Sequence, residues 1–125
     1  MDVIHTALWV SDVAASVDFY TTLDLRRQFS FEMDGVENVY VGGRYGQLQL
    51  RHDPDRADVV DPDRSAMDHV AVGVEDCDAA FERVREETNA EVVAEPTVIE
   101  PADARAAFVT DPDGYVVELV EPLAE

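Results

Sequence analysis

A chain of 125 residues can bury one sizeable core but is too short for two independent ones. Its 28 acidic residues face nine arginines and no lysine, and the resulting net charge of −19 repels phosphate backbones and anionic lipid, which argues against nucleic-acid and membrane partners. Hydrophobic residues make up 46% and fall in periodic segments, which excludes intrinsic disorder; no apolar run approaches the ~20 residues of a spanning helix, and the acidic start MDVIHTALWVSD is unlike a signal peptide, so a cytoplasmic protein is expected.

The first element is a strand around His5, Ala7 and Trp9, which alternation places on one face, with Thr6, Leu8 and Val10 on the other. Asp12 then caps a predicted helix, VAASVDFYTTL, in which Val13, Val17, Tyr20 and Leu23 recur at helical spacing. Strand signals follow at LRRQFSFEM, ENVYVGG and GQLQLRH, so the first module, about residues 1–52, is predicted to be β-α-β-β-β. Residues 53–66, with two DPDR copies, are predicted to form a solvated linker. The second module, about 67–125, repeats the order: a strand at MDHVAVGV, Asp76 as cap, the helix CDAAFERVREET, then strands at EVVAEPTVIE, ARAAFVT and, after the turn DPDG, YVVELVE. Cys77, the one cysteine, precludes an intrachain disulfide; it is expected at a helix start, either as a small buried residue or as a thiol of lowered pKa.

The repeat is also spelled out locally. HTALWVSD at 5–12 and HVAVGVED at 69–76 share the frame H-x-A-x-x-V-x-D, each just ahead of its helix. His5 and His69 are therefore equivalent, and aligning GQLQLRH with YVVELVE makes Gln49 equivalent to Glu118. Glu118 shares a strand face with Val116 and Val120, where an unpaired carboxylate is costly. One His on a strand is more often an ordinary core or surface residue than a ligand. Two His, one Gln and one Glu at matched places favour a divalent metal site, and imidazole with oxygen donors suits Fe, Mn, Co, Ni or Zn. His52 is expected to be exposed beside the linker.

These residues resemble the vicinal oxygen chelate superfamily, and within it most closely glyoxalase I (lactoylglutathione lyase) and its small relatives. The resemblance rests on HTALWVSDVAASVDFYTTL, DHVAVGVEDCDAAFERV and, most specifically, FVTDPDGYVVELVE. It implies an α+β fold of paired β-α-β-β-β modules forming an open eight-stranded cup, a metal held by His5, Gln49, His69 and Glu118, and a homodimer. It also implies a reaction: the metal chelates neighbouring substrate oxygens and stabilises an enediolate. Glu118 is then both ligand and base, and a 2-oxoaldehyde–thiol hemithioacetal becomes a 2-hydroxyacyl thioester. Gln49 stands where glyoxalase I usually has a second Glu. The basic residues that hold the glutathione carboxylates lack obvious counterparts, with Phe29 and VVAEP in their neighbourhoods; of Arg26, Arg27, Arg44 and Arg51, Arg51 is expected to meet an anionic thiol because it shares a face with Gln49.

Three rival readings follow from the same residues. His-Gln-His-Glu is also the set of methylmalonyl-CoA epimerases, and Glu37 lies near the second base of that family. His5, His69 and Glu118 also match the two-His-one-carboxylate set of Fe(II) extradiol dioxygenases, although Phe108 stands where those enzymes have Tyr. A metal-free binding protein of the bleomycin-resistance type would use Trp9, Phe31 and Tyr40 as an apolar lining instead. The acidic, lysine-free composition resembles that of proteins from a high-salt cytoplasm, and a dependence of stability on salt is expected.

Overall fold

The computed structural model describes residues 1–56 and 60–123, which fall into two compact units, Met1–Asp63 and Arg64–Glu125. The first holds β1 (His5–Trp9), α1 (Val13–Thr22), β2 (Arg26–Met33), β3 (Val36–Gly42) and β4 (Gln47–His52). The second holds β5 (Val70–Gly73), α2 (Cys77–Glu87), β6 (Val92–Ile99), β7 (Ala104–Thr110) and β8 (Val116–Pro122). The expected β-α-β-β-β order thus occurs twice. Each unit has its own four-stranded mixed sheet, ordered β1-β4-β3-β2 and β5-β8-β7-β6; the β1–β4 and β5–β8 pairs are parallel and the rest antiparallel.

Alternation decides which face each strand buries. In the first unit Leu8, Val10, Val39, Val41, Leu48 and Leu50 are buried on the face covered by α1. Their counterparts in the second are Val70, Val72, Val109, Val117 and Leu119, under α2. Removing such a side chain from water stabilises by about 1.5–3 kcal/mol. The opposite face carries Tyr40, Gln49 and Arg51 in the first unit, and Phe108 and Glu118 among small apolar residues in the second.

Both helices start as their sequences predict: Asp12 Oδ1 accepts from Ala15 N and Asp76 Oδ1 from Ala79 N, each at 3.0 Å. The buried stripe of α1 differs from the expectation. Ser16, Phe19, Tyr20 and Leu23 face the sheet while Val13 and Val17 are half-buried, because turning the helix toward its two aromatic side chains removes more apolar surface from water. Cys77 is fully buried at the start of α2 with its thiol donating to Leu119 O at 3.5 Å, and burial pushes its pKa up, so of the two readings the small buried residue is the one realised.

The turns follow from backbone chemistry. Asp34 and Gly35 at the β2–β3 hairpin both have positive φ, 54° and 82°, the two-residue turn that Asp-Gly supports. In DPDG the buried Asp111 carboxylate accepts from Asp113 N at 2.9 Å and Tyr115 N at 3.0 Å. Gly114, at φ 90°, completes the reversal into β8.

Of the predicted linker, residues 57–59 lie outside the described residues. Its two DPDR copies make the same local turn: Asp55 N donates to Asp53 Oδ1 at 3.0 Å and Asp63 N to Asp61 Oδ1 at 3.1 Å. The division between the units falls directly after the second of these turns begins, at Asp63.

Candidate functional site

The strand register turns the inferred equivalence of the two halves into a geometric one. In the first unit His5 lies beside Gln47 and Ala7 beside Gln49, with Gln49 facing Tyr40 on its other side. In the second, Ala71 lies beside Glu118 and Glu118 faces Phe108. Tyr40 and Phe108 do the same work. The His5 ring meets Tyr40 edge-on with centroids 5.5 Å apart, and the His69 ring meets Phe108 edge-on at 5.7 Å. Each unit thus presents one imidazole propped on an aromatic ring whose register partner bears a side-chain oxygen, on the face away from its helix.

In the second unit the pair is in direct contact. His69 lies immediately before β5, and its Nε2 is 3.0 Å from Glu118 Oε1, with the side chains 32% and 18% exposed. On the other side of the ring Nδ1 is 2.6 Å from Asp68 Oδ2. The hydrogen bond to Asp68 is the main reason that the His69 pKa is raised; burial opposes it, and Glu118 adds to it. The carboxylate sits between Val116 and Val120 on the half-buried face of β8, as its sequence position requires.

In the first unit the position equivalent to Glu118 holds an amide. Gln49 Nε2 donates to Asn38 Oδ1 at 3.0 Å, and the same oxygen accepts from Arg51 Nε at 3.0 Å. Arg51 in turn lies over Trp9, its Cζ 4.5 Å from the ring centroid, and Arg56 approaches the same ring at 5.7 Å. Trp9 and Arg51 are register partners, so the structure joins these two predicted residues on the donor face. Phe29, stacked on Tyr40 at 4.3 Å, and Phe31 continue that face across β2. Asn38, which holds Gln49 and Arg51 together, went unnoticed in the sequence. A lone Asn on a strand carries no signal of its own, although its parity with Tyr40 would have placed it here.

Two expectations need correcting. Glu37 pairs with His52 in the register and points to the face opposite Asn38 and Tyr40, so strand alternation removes it from the Gln49 side. The second base of an epimerase is therefore not where that reading needs it. His52 is half-buried rather than exposed: its Nδ1 lies 3.1 Å from Val10 O, tying the end of β4 to the end of β1.

Neither unit gathers three His, Cys, Asp or Glu side chains into a metal-binding group among the described residues. No described helix is long and apolar enough to cross a membrane.

Residues 3–119 match the family model of the Glyoxalase/Bleomycin resistance protein/Dioxygenase superfamily. The chain is similar to the lactoylglutathione lyase of Neisseria meningitidis, 33% identical over 97% of this chain and 91% of that one. It is also similar to the probable lactoylglutathione lyase of Synechocystis, 30% identical over 97% and 95%. Among solved structures, the trypanothione-dependent glyoxalase I of Leishmania major superimposes with a TM-score of 0.80 at 27% identity, over 97% of this chain and 86% of that one. A duplicated module, a family match over residues 3–119 and glyoxalase relatives agree: the chain belongs to the Glyoxalase/Bleomycin resistance protein/Dioxygenase superfamily and is an enzyme of its glyoxalase type.

Proposed function

We propose that the protein is a divalent-metal-dependent glyoxalase I that isomerises the hemithioacetal of a 2-oxoaldehyde and a thiol to a 2-hydroxyacyl thioester. The observation that carries this reading is the matched pairing of donors: His69 beside Glu118 at 3.0 Å in one unit, with His5 and Gln49 at the equivalent register positions of the other. The donor set fits a hard or borderline divalent ion, with two imidazoles, one carboxylate and one amide oxygen and no thiolate. Asp68 behind His69 Nδ1 is the kind of partner that fixes the ring of a ligating imidazole.

His5, Gln49, His69 and Glu118 would hold the ion, which when bound polarises adjacent substrate oxygens. Bringing the two pairs together requires both units, from one chain or from two chains of a homodimer. Glu118 is the base. Its carboxylate takes the proton from the carbon bearing sulfur and returns it to the neighbouring carbon, a positioned transfer worth roughly 10²–10⁴-fold. The apolar neighbours Val116 and Val120 flank that carboxylate on the half-buried face of β8. Arg51 and Arg56 at Trp9 receive an anionic group of the thiol.

The test supplies methylglyoxal and glutathione to protein loaded with Ni, Co, Mn or Zn in molar KCl and follows thioester absorbance. Thioester formation that stops on chelation and returns on reloading supports the reading. A cation-loaded protein inactive with glutathione and with other low-molecular-weight thiols overturns it. Light scattering under the same conditions tests the homodimer, and a strict monomer removes that part.

A further inference from the structure

We propose that Asn38 is a positioning residue of the candidate site: its one carbonyl oxygen turns the Gln49 amide so that Oε1 is left to face a cation, and seats the Arg51 guanidinium on Trp9 with its terminal nitrogens left for an anion. The inference rests on the reading of Gln49 as a ligand and goes beyond it. A glutamine can ligate a cation only through its oxygen, yet its amide has two ends of nearly equal size. Something must choose the end. Asn38 Oδ1 takes Gln49 Nε2 at 3.0 Å, which leaves Oε1 without a partner among the described residues.

Asn38 is itself fixed. It is 1% exposed at the middle of β3, and its Nδ2 donates to Val36 O at 3.1 Å, so the amide cannot flip without losing a bond at each end. The same oxygen holds Arg51 Nε at 3.0 Å, and this keeps the guanidinium 4.5 Å from the Trp9 ring. In a chain whose 28 acidic residues outnumber its nine arginines, neither Arg51 nor Arg56 meets a carboxylate among the described residues.

The second unit supplies the comparison. Its donor at the Gln49 position is Glu118, which offers an oxygen at both ends and needs no orienting partner. At the positions matching Trp9, Arg51 and Asn38 the register places Gly73, Val120 and Ala106. The orienting asparagine occurs only where the ligand is an amide.

Trp9 is the only tryptophan, so its emission reports on Arg51 without reference to turnover. The experiment compares wild type, Asn38→Leu, Asn38→Asp and Arg51→Met, with fold checked by circular dichroism, and measures Trp9 emission together with Co²⁺ affinity by competition against a chromophoric chelator. Asn38→Leu is expected to move the emission to that of Arg51→Met and to weaken Co²⁺ binding by about 10- to 100-fold, the effect of losing an orienting partner. Asn38→Asp, which still accepts both bonds but loses the donation to Val36 O, is expected to recover both readings in part. Adding Gln49→Glu to Asn38→Leu restores Co²⁺ affinity but not emission, because a carboxylate needs no orienting. Should Asn38→Leu fail to fold, Asn38→Ser, too short to reach β4, takes its place.

Wild-type emission and wild-type affinity in the Leu variant overturn the proposal. Weakened affinity that Gln49→Glu does not restore overturns the orienting role of Asn38. A wild-type protein that binds no Co²⁺ overturns the Gln49 half together with the metal-dependent reading above, while the emission comparison still decides whether Asn38 seats Arg51.

Discussion

Glu118→Gln keeps the size of the side chain and an oxygen to face His69, but removes the carboxylate that the proposed proton transfer uses. Turnover is expected to fall by roughly 10²–10⁴-fold with the melting temperature little changed; wild-type rates in the variant would show that Glu118 is not the base. Ser16 tests the core instead. Its hydroxyl is fully buried in α1 with no hydrogen-bond partner among the described residues, so Ser16→Ala removes a desolvated polar group and adds helix propensity. A gain of about 1 kcal/mol in urea denaturation is expected, and a loss would mean that the hydroxyl is satisfied in solution. The matched positions of His5 and His69 and of Gln49 and Glu118 were legible in the sequence because a repeat and a two-residue period suffice to put them on equivalent faces. Asn38 was not, since its meaning comes from cross-strand partners eleven and thirteen residues away.

At the scale of the elements, both helices begin at aspartates that the repeat places identically, but they are not equally dependent on them. At α1 Asp12 accepts from Ala15 N, and its removal leaves that donor without its partner, so Asp12→Ala should cost about 1 kcal/mol. At α2 Glu121 Oε1 also accepts from Cys77 N at 2.8 Å, so Asp76→Ala leaves one of the first-turn donors still satisfied and should cost less. Urea titrations of the two variants decide the order, and equal costs would show that Glu121 adds nothing to the cap. Strand order and helix caps were legible because alternation and Asp before an apolar-periodic run are local signals. The facing of α1 was not, because Val13–Val17 and Phe19–Tyr20 offer competing stripes and the sheet beneath, which Phe19 and Tyr20 cover better, is assembled from residues distant in sequence.

For the whole molecule, the opening repeat carried the two-unit architecture, with β-α-β-β-β order in each unit. Charge, in contrast, acts on the whole chain at once. With 28 acidic residues against nine arginines, folding draws more carboxylates together than arginines can pair; the ion pairs among the described residues include Arg105 with Asp78 at 2.7 Å and Arg85 with Glu82 at 3.2 Å. Those pairs are exposed and offset little of the repulsion. Screening shortens the reach of each charge from about 10 Å at 0.1 M salt to about 3 Å at 1 M, comparable to the spacing of neighbouring surface groups. The melting temperature should therefore climb steeply with KCl up to about 1 M and more slowly beyond it, since little electrostatic repulsion is then left to screen. Sucrose, an excluded but uncharged solute, should give a shallow rise without that early steep phase. A melting temperature independent of KCl would mean that the folded chain spaces its carboxylates widely enough to tolerate a net charge of −19 unaided, and the salt requirement inferred from composition would fall.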